Sequence, residues 1–201
     1  MSFRAPGVAL RREWVWRWAL THPGPTFTLA EAASALGRSP RVVRTALSGL
    51  LRAGALAEED STFHIVQRHV GRIAWATYHR PKVLGALALR LPTAEIESLM
   101  VPAATFTGSS AVRLRLEHTP ADASEVWVYA AADRWAAIAR RFDRFRWPVA
   151  RRHLVNLRVW EPDPWLPLHP LPWDQVWVDL WQCPAWWSVP YLQTVEAQLA
   201  T

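Results

Sequence analysis

Apolar positions recur every three to four residues through the first fifty positions, then give way to short alternating runs. In Ala9–His22, Leu10, Trp14, Val15 and Trp18 share one helical face and arginines take the other. His22–Pro25, "HPGP", ends that helix. In "TLAEAASALG", Leu29, Ala32, Ala33 and Leu36 point inward. Thr28 and Glu31 have capping-box spacing, and Gly37 stands where a left-handed helix stop needs a glycine. Ser39 and Pro40 start a third helix, to about Ala53. Its inward row is Val43, Ala46, Leu47 and Leu50, with Leu51 flanking. Arg41, Arg44, Thr45, Ser48 and Arg52 face outward, and Gly54 ends it. Ala55–Val66 then predicts two short strands around the polar turn Glu58–Ser61.

The pattern weakens over Gln67–Val101, where Arg68, His69, Arg72, His79, Arg80 and Lys82 make a basic connector suited to lying along a polyanion. Within it, Val83–Leu91 is an apolar run fit for a buried element. A glycine–serine–serine turn at Gly108–Ser110 leads into a helix, "EVWVYA" predicts a strand, and "ADRWAAIARRF" an amphipathic helix. His153–Glu161 and Asp174–Trp181 predict further strands, and the end of the chain a last helix. The fold class is α+β: an N-terminal helical module with a strand pair over 1–80, a connector over 81–104, and a small α/β domain over 105–201.

Charge sharpens this division. Residues 1–80 carry eleven arginines against five acids, while residues 81–201 balance twelve basic against twelve acidic groups. The whole excess of +6 lies in the first module, which therefore suits a polyanion. No apolar run approaches the ~18 residues of a membrane span. The N-terminal stretch lacks the apolar core of an export signal, so a cytoplasmic protein is expected. Cys183, the sole cysteine, excludes an intrachain disulfide and a cysteine-based zinc cluster. His64, His69 and His79 lack the i, i+4 spacing of helical metal ligands, and neither metal nor cofactor is expected.

A short helix, a tight turn, a basic helix and a strand pair resemble the winged helix-turn-helix domains of bacterial transcription regulators. The residues that carry the likeness are "AEAASALG", "SPRVVRTALSGL" and "RAGAL", within about 9–68. The resemblance implies that the helix starting at Pro40 enters the major groove of double-stranded DNA. Arg41, Arg44, Thr45 and Ser48 then reach base edges, because arginine's planar fork matches two acceptors on guanine. Arg38 and Arg52, with the helix starts at Thr28 and Ser39, suit phosphates. The acidic run Glu58, Glu59, Asp60 at the strand turn is expected to lie away from the DNA backbone or to make protein contacts.

The order of elements after residue 105 resembles the nucleotidyltransferase-like domain of AbiEi-type antitoxins, of type IV toxin–antitoxin systems. The matching stretches are "TGSSAVRL", "EVWVYA" and "VWVDLWQCP". That resemblance implies an autoregulating repressor. Active nucleotidyltransferases hold magnesium with two carboxylates one residue apart. Here Glu125 is followed at the second position by Trp127, so a transferase relying on Glu125 and Asp179 is the weaker alternative. A winged helix that binds protein is another. Ten of the fourteen tryptophans lie between Trp127 and Trp187, in a half without net charge. Besides filling a core, Trp165, Trp173, Trp186 and Trp187 suit a surface for a protein partner or a second copy, and a homodimer is expected.

Overall fold

Among the described residues of the computed structural model, 11–101, 103–146, 155–163, 166–168 and 170–200, helices and two sheets form a mixed α+β protein. The chain divides into two units, Met1–His79 and Arg80–Thr201. No helix among those residues is long and apolar enough to cross a membrane.

The first unit runs α1 (Arg12–Leu20), β1 (Thr26–Thr28), α2 (Leu29–Leu36), α3 (Pro40–Arg52), β2 (Leu56–Glu59), β3 (Thr62–Ile65) and α4 (Arg68–Tyr78). Its antiparallel sheet has the order β1-β3-β2. Asp60 and Ser61 both take positive φ, the two-residue hairpin geometry that matches strand twist. Helix α1 is central, touching α2, α3 and α4. It therefore buries more than one face: Trp14, Val15, Ala19 and Leu20, but also Trp16 and Arg17 on the side expected to be solvated. Trp18 is only half-buried. The inward rows of α2 and α3 meet this helix, and Phe27 stacks on Phe63 across β1 and β3.

Helix α4 replaces the expected weakly structured start of the connector. Its buried positions are Gly71, Arg72, Trp75 and Ala76, a helical spacing built partly from residues that are not apolar. Gly71 admits the Leu20 side chain, 2.4 Å from where a Cβ would sit. The Arg68 guanidinium donates to the carbonyls of Leu20, His22 (2.8 Å) and Gly24 (3.1 Å). It thus caps the end of α1, which leaves acceptors without helical partners. His79 meets Glu13 at 3.3 Å and is buried, as is Arg72. Three of the connector's basic groups are therefore internal to the unit.

The second unit runs β4 (Lys82–Leu89), α5 (Thr93–Met100), β5 (Thr105–Thr107), α6 (Gly108–Leu116), β6 (Glu125–Tyr129), α7 (Trp135–Phe142), β7 (Val155–Glu161), α8 (Trp173–Trp181) and α9 (Ser188–Leu199). Its sheet order is β4-β7-β6-β5, with β6 and β7 parallel and the other pairs antiparallel. Segment 81–104 is thus no connector: β4 pairs along β7, and α5 places Ile96 and Met100 in the core. Asp174–Trp181 is helix α8, not a strand. Gln175 to Leu180 are all buried there, so the Val-Trp-Val alternation marks no exposed side.

Strand alternation gives the second sheet two unlike faces. Val126, Val128, Leu157, Val159, Leu87 and Leu89 pack with Ile138 and Phe142 of α7 in an aliphatic core. The other face carries Glu125, Trp127 and Tyr129 from β6, and Arg158 and Trp160 from β7. Helices α6, α8 and α9 lie on that side, where Tyr129 meets Asp179 and Trp127 meets Trp187.

Candidate nucleic-acid interface

Helix α3 owes its orientation to its buried row. Val43, Ala46, Leu47 and Leu50 are sequestered, which leaves Arg41, Arg44, Thr45 and Arg52 exposed and Ser48 half-buried. The Trp16 indole fixes the helix against α1: Nε1 donates to the Ala46 carbonyl at 2.7 Å, and the ring lies across Gly49. A Cβ on Gly49 would sit 2.2 Å from Trp16 Cζ2. Gly37, at φ 60° and ψ 37°, turns the chain from α2 into α3.

The expected base-contact residues share the outer surface of α3, with different local chemistry. Arg41 and Thr45 line a cavity of about 350 Å³ beside α3 with Arg12, Val42 and Ala46. Arg44 Nη2 lies 2.9 Å from Glu58 Oε1, so the hairpin already holds one guanidinium of this surface. Thr45 Oγ1 donates to the Arg41 carbonyl at 2.9 Å, and Ser48 Oγ to the Thr45 carbonyl at 2.8 Å. Both hydroxyls spend their proton on the helix and offer an outside group acceptor lone pairs. The acidic hairpin turn, Glu59 to Asp60, is exposed.

The expected phosphate contacts divide. Arg52 is exposed in the last turn of α3, and Arg38 is half-buried beyond Gly37. Ser39 caps α3 through its backbone only, without a side-chain capping bond. Thr28 is committed to a capping box: its amide donates to Glu31 Oε2 at 2.6 Å, and its hydroxyl accepts from the Glu31 amide at 3.2 Å. The backbone and hydroxyl donors of Thr28 hold the Glu31 carboxyl below its ordinary range. A carboxylate therefore occupies the place where a phosphate would meet the Thr28 amide.

No family model, curated protein or solved structure matches this chain. The functional reading therefore rests on local chemistry.

Two surface residues escaped the sequence reading. Val42 is 46% exposed between Arg41 and Thr45, an apolar group on an otherwise polar surface. Arg12 stands at the start of α1, its guanidinium 5.5 Å from the Tyr78 ring centroid and on the rim of the same cavity. Val42 was visible in principle as the one apolar residue on the solvent arc of α3. The role of Arg12 depends on how α1 packs beside α3.

In the second unit the expected tryptophan surface breaks up. Trp186 is 73% exposed, but its neighbour Trp187 is 4% exposed and packs on Trp127 and Tyr191. Trp187 is a core residue. Trp173 is half-buried under Arg115, whose guanidinium carbon lies 3.5 Å from the ring centroid. Trp165 lies outside the described residues. Trp186 is thus exposed as expected of a surface residue, and Trp181, 43% exposed and stacked on Trp177, is a second exposed indole, one that the sequence did not single out.

Glu125 and Asp179 are both engaged by protein donors. Glu125 accepts from Trp127 Nε1 at 2.5 Å and from Arg158 Nη2 at 3.0 Å. Asp179 is fully buried and accepts from Thr107 Oγ1, Tyr129 OH at 3.0 Å and Gln175 Nε2 at 2.8 Å. Among the described residues, no group of three His, Cys, Asp or Glu side chains could hold a metal ion.

Proposed function

We propose that the protein is a sequence-specific double-stranded DNA-binding transcription regulator, a repressor whose first unit is a winged helix-turn-helix. The observation that carries this reading is the outer surface of α3, where Arg41, Arg44 and Arg52 project from a helix locked by its apolar row and by Trp16. Such a surface has the length and charge to lie in a major groove, with Arg41 and Arg44 on base edges and Arg52 on phosphate. Val42 adds an apolar group of the kind that meets a thymine methyl. The hairpin β2–β3 corresponds to the wing, and Glu58 of β2 holds Arg44 where a phosphate would otherwise meet it.

The second unit is read as an assembly or partner-binding domain, similar to the nucleotidyltransferase-like domain of AbiEi-type antitoxins. What supports this is the direct passage from β5 into the Gly108–Ser110 start of α6, followed by Glu125 on β6. The engagement of Glu125 and Asp179 by protein donors favours assembly over phosphoryl transfer. The protein acts in the cytoplasm as a homodimer on paired half-sites.

Fluorescence anisotropy with duplex from upstream of the protein's own gene tests this reading. Random duplex serves as competitor, at two salt concentrations. Tight binding that survives competitor and weakens steeply with salt is expected. Binding equal to that of random duplex would overturn the regulator reading and favour a protein-binding winged helix.

A further inference from the structure

The polar face of the second sheet holds a cavity of about 250 Å³. Its walls are the Trp127 and Trp160 rings, 5.2 Å apart at their centroids and inclined by 45°. Cys183, 8% exposed, lines it, and Arg80, Arg158 and Val83 also border it.

Two features separate this cavity from a packing defect. The first is a bulge in β4: Val83 pairs with Trp160 but Gly85 pairs with Val159, so Leu84 is an extra residue. Gly85, like Leu87 and Leu89, faces the aliphatic core, where it meets Trp135. Regular alternation would send Val83 the same way. The bulge turns it to the cavity, where it stands 60% exposed.

The second is the way Glu125 holds two of the lining groups. It accepts from Trp127 Nε1 and from Arg158 Nη2, fixing an indole and a guanidinium in register across β6 and β7. Glu125 takes one of the five donors that a guanidinium carries. Cys183 stays a neutral thiol near pH 7: burial pushes it up, a hydrogen bond with the Ala185 backbone opposes this, the Glu125 charge adds to it, and Arg158 opposes it. The cavity therefore combines aromatic walls, an uncharged sulfur and two guanidiniums.

We propose that this cavity binds a small flat ring carrying one anionic group, with the ring against Trp127 and Trp160 and the anion on Arg158 and Arg80. Aromatic walls favour a planar apolar body. Guanidinium forks favour a carboxylate or similar anion over a neutral polar group. Glu125 is a positioning residue that excludes a second negative charge.

The test titrates the full chain with 2-naphthoate and with its neutral counterpart, 2-naphthamide, by calorimetry. The same ligands are added while Cys183, the only cysteine, reacts with 4,4′-dithiodipyridine. The acid should bind one-to-one, about tenfold tighter than the amide, and slow the thiol reaction in proportion to occupancy. R158Q and R80Q should each erode the preference for the acid. V83W, at an exposed position that tolerates a larger side chain, should close the mouth and abolish both binding and protection. No saturable binding, equal affinity for acid and amide, or binding indifferent to V83W in a folded protein would each overturn the proposal.

Discussion

Arg44 of α3 and Glu58 of β2 form an ion pair, Nη2 to Oε1 at 2.9 Å, on the surface proposed to meet DNA. The Arg44 side chain is 57% exposed, so solvent screens the pair and it contributes only about 0.2–1 kcal/mol to stability. Its larger consequence is competition. A DNA acceptor must take the guanidinium from a carboxylate that already holds it. Glu58→Gln removes that competitor and its repulsion of phosphate. Affinity for duplex should rise about threefold or more at low salt, and the gain should shrink as salt increases. Anisotropy at two salt concentrations checks this, and unchanged or weaker binding would remove Glu58 from the account.

The arginines of α3 should separate by role. Arg44→Ala should cost about 1–3 kcal/mol on the cognate site and relax preference at one base pair. Arg52→Ala should weaken cognate and random duplex about equally, because a phosphate contact carries no sequence information. Competition with single-base variants of the site measures both. If the two changes act alike on cognate and random DNA, the assignment of base and phosphate roles fails.

Gly49 sits inside α3, where alanine would ordinarily gain about 1 kcal/mol of helix propensity. The Trp16 ring decides the sign. A Cβ would stand 2.2 Å from Cζ2, and the indole is anchored by its bond to the Ala46 carbonyl. Overpacking of this kind costs about 1–3 kcal/mol and outweighs the propensity gain. Gly49→Ala should therefore lower the urea midpoint. A raised midpoint would mean that α1 and α3 separate without cost.

Helices α2 and α3 were legible because their ends carry local signals: Thr28 with Glu31, Gly37, and Ser39 with Pro40 all act within a few residues. Helix α4 was not, since Gly71 and Arg72 are buried by what they meet, Leu20 in the case of Gly71, rather than by their own hydrophobicity. Helix α8 failed for the opposite reason: with Gln175 through Leu180 all buried, no period distinguishes helix from strand. The outward row of α3 could be read from spacing, but the Arg44–Glu58 pair depends on how the hairpin folds back. Trp186 and Trp187 are identical neighbours, and only the packing of Trp187 on Trp127 tells core from surface.

Glu31 makes part of the first unit's stability depend on pH. Donors from Thr28 hold its carboxyl below the ordinary value of 4.5. A depressed carboxyl stabilises the folded state when ionised, so its contribution is complete above the unfolded value and is lost as pH falls through the folded one. Glu31→Ala should lower the melting temperature at pH 7. The gap between the two proteins should narrow below pH 4.5. An equal gap at pH 7 and pH 3 would mean that the carboxylate charge contributes nothing to the cap.

Asp179 tests the polar cluster of the second unit. It is fully buried, and three side chains donate to it from different elements: Thr107 of β5, Tyr129 of β6 and Gln175 of α8. Asparagine preserves the shape but replaces one acceptor oxygen with an amide NH2, so donors aimed at that oxygen lose their acceptor. A buried donor left without an acceptor costs about 1–3 kcal/mol. Asp179→Asn should therefore destabilise the chain by about that amount in urea unfolding. Tyr129→Phe in the same background should recover part of the loss, because it removes one of those donors. If the double variant falls by the full sum of the two single losses, Tyr129 and Asp179 act independently, and the hydrogen bond between them holds nothing together.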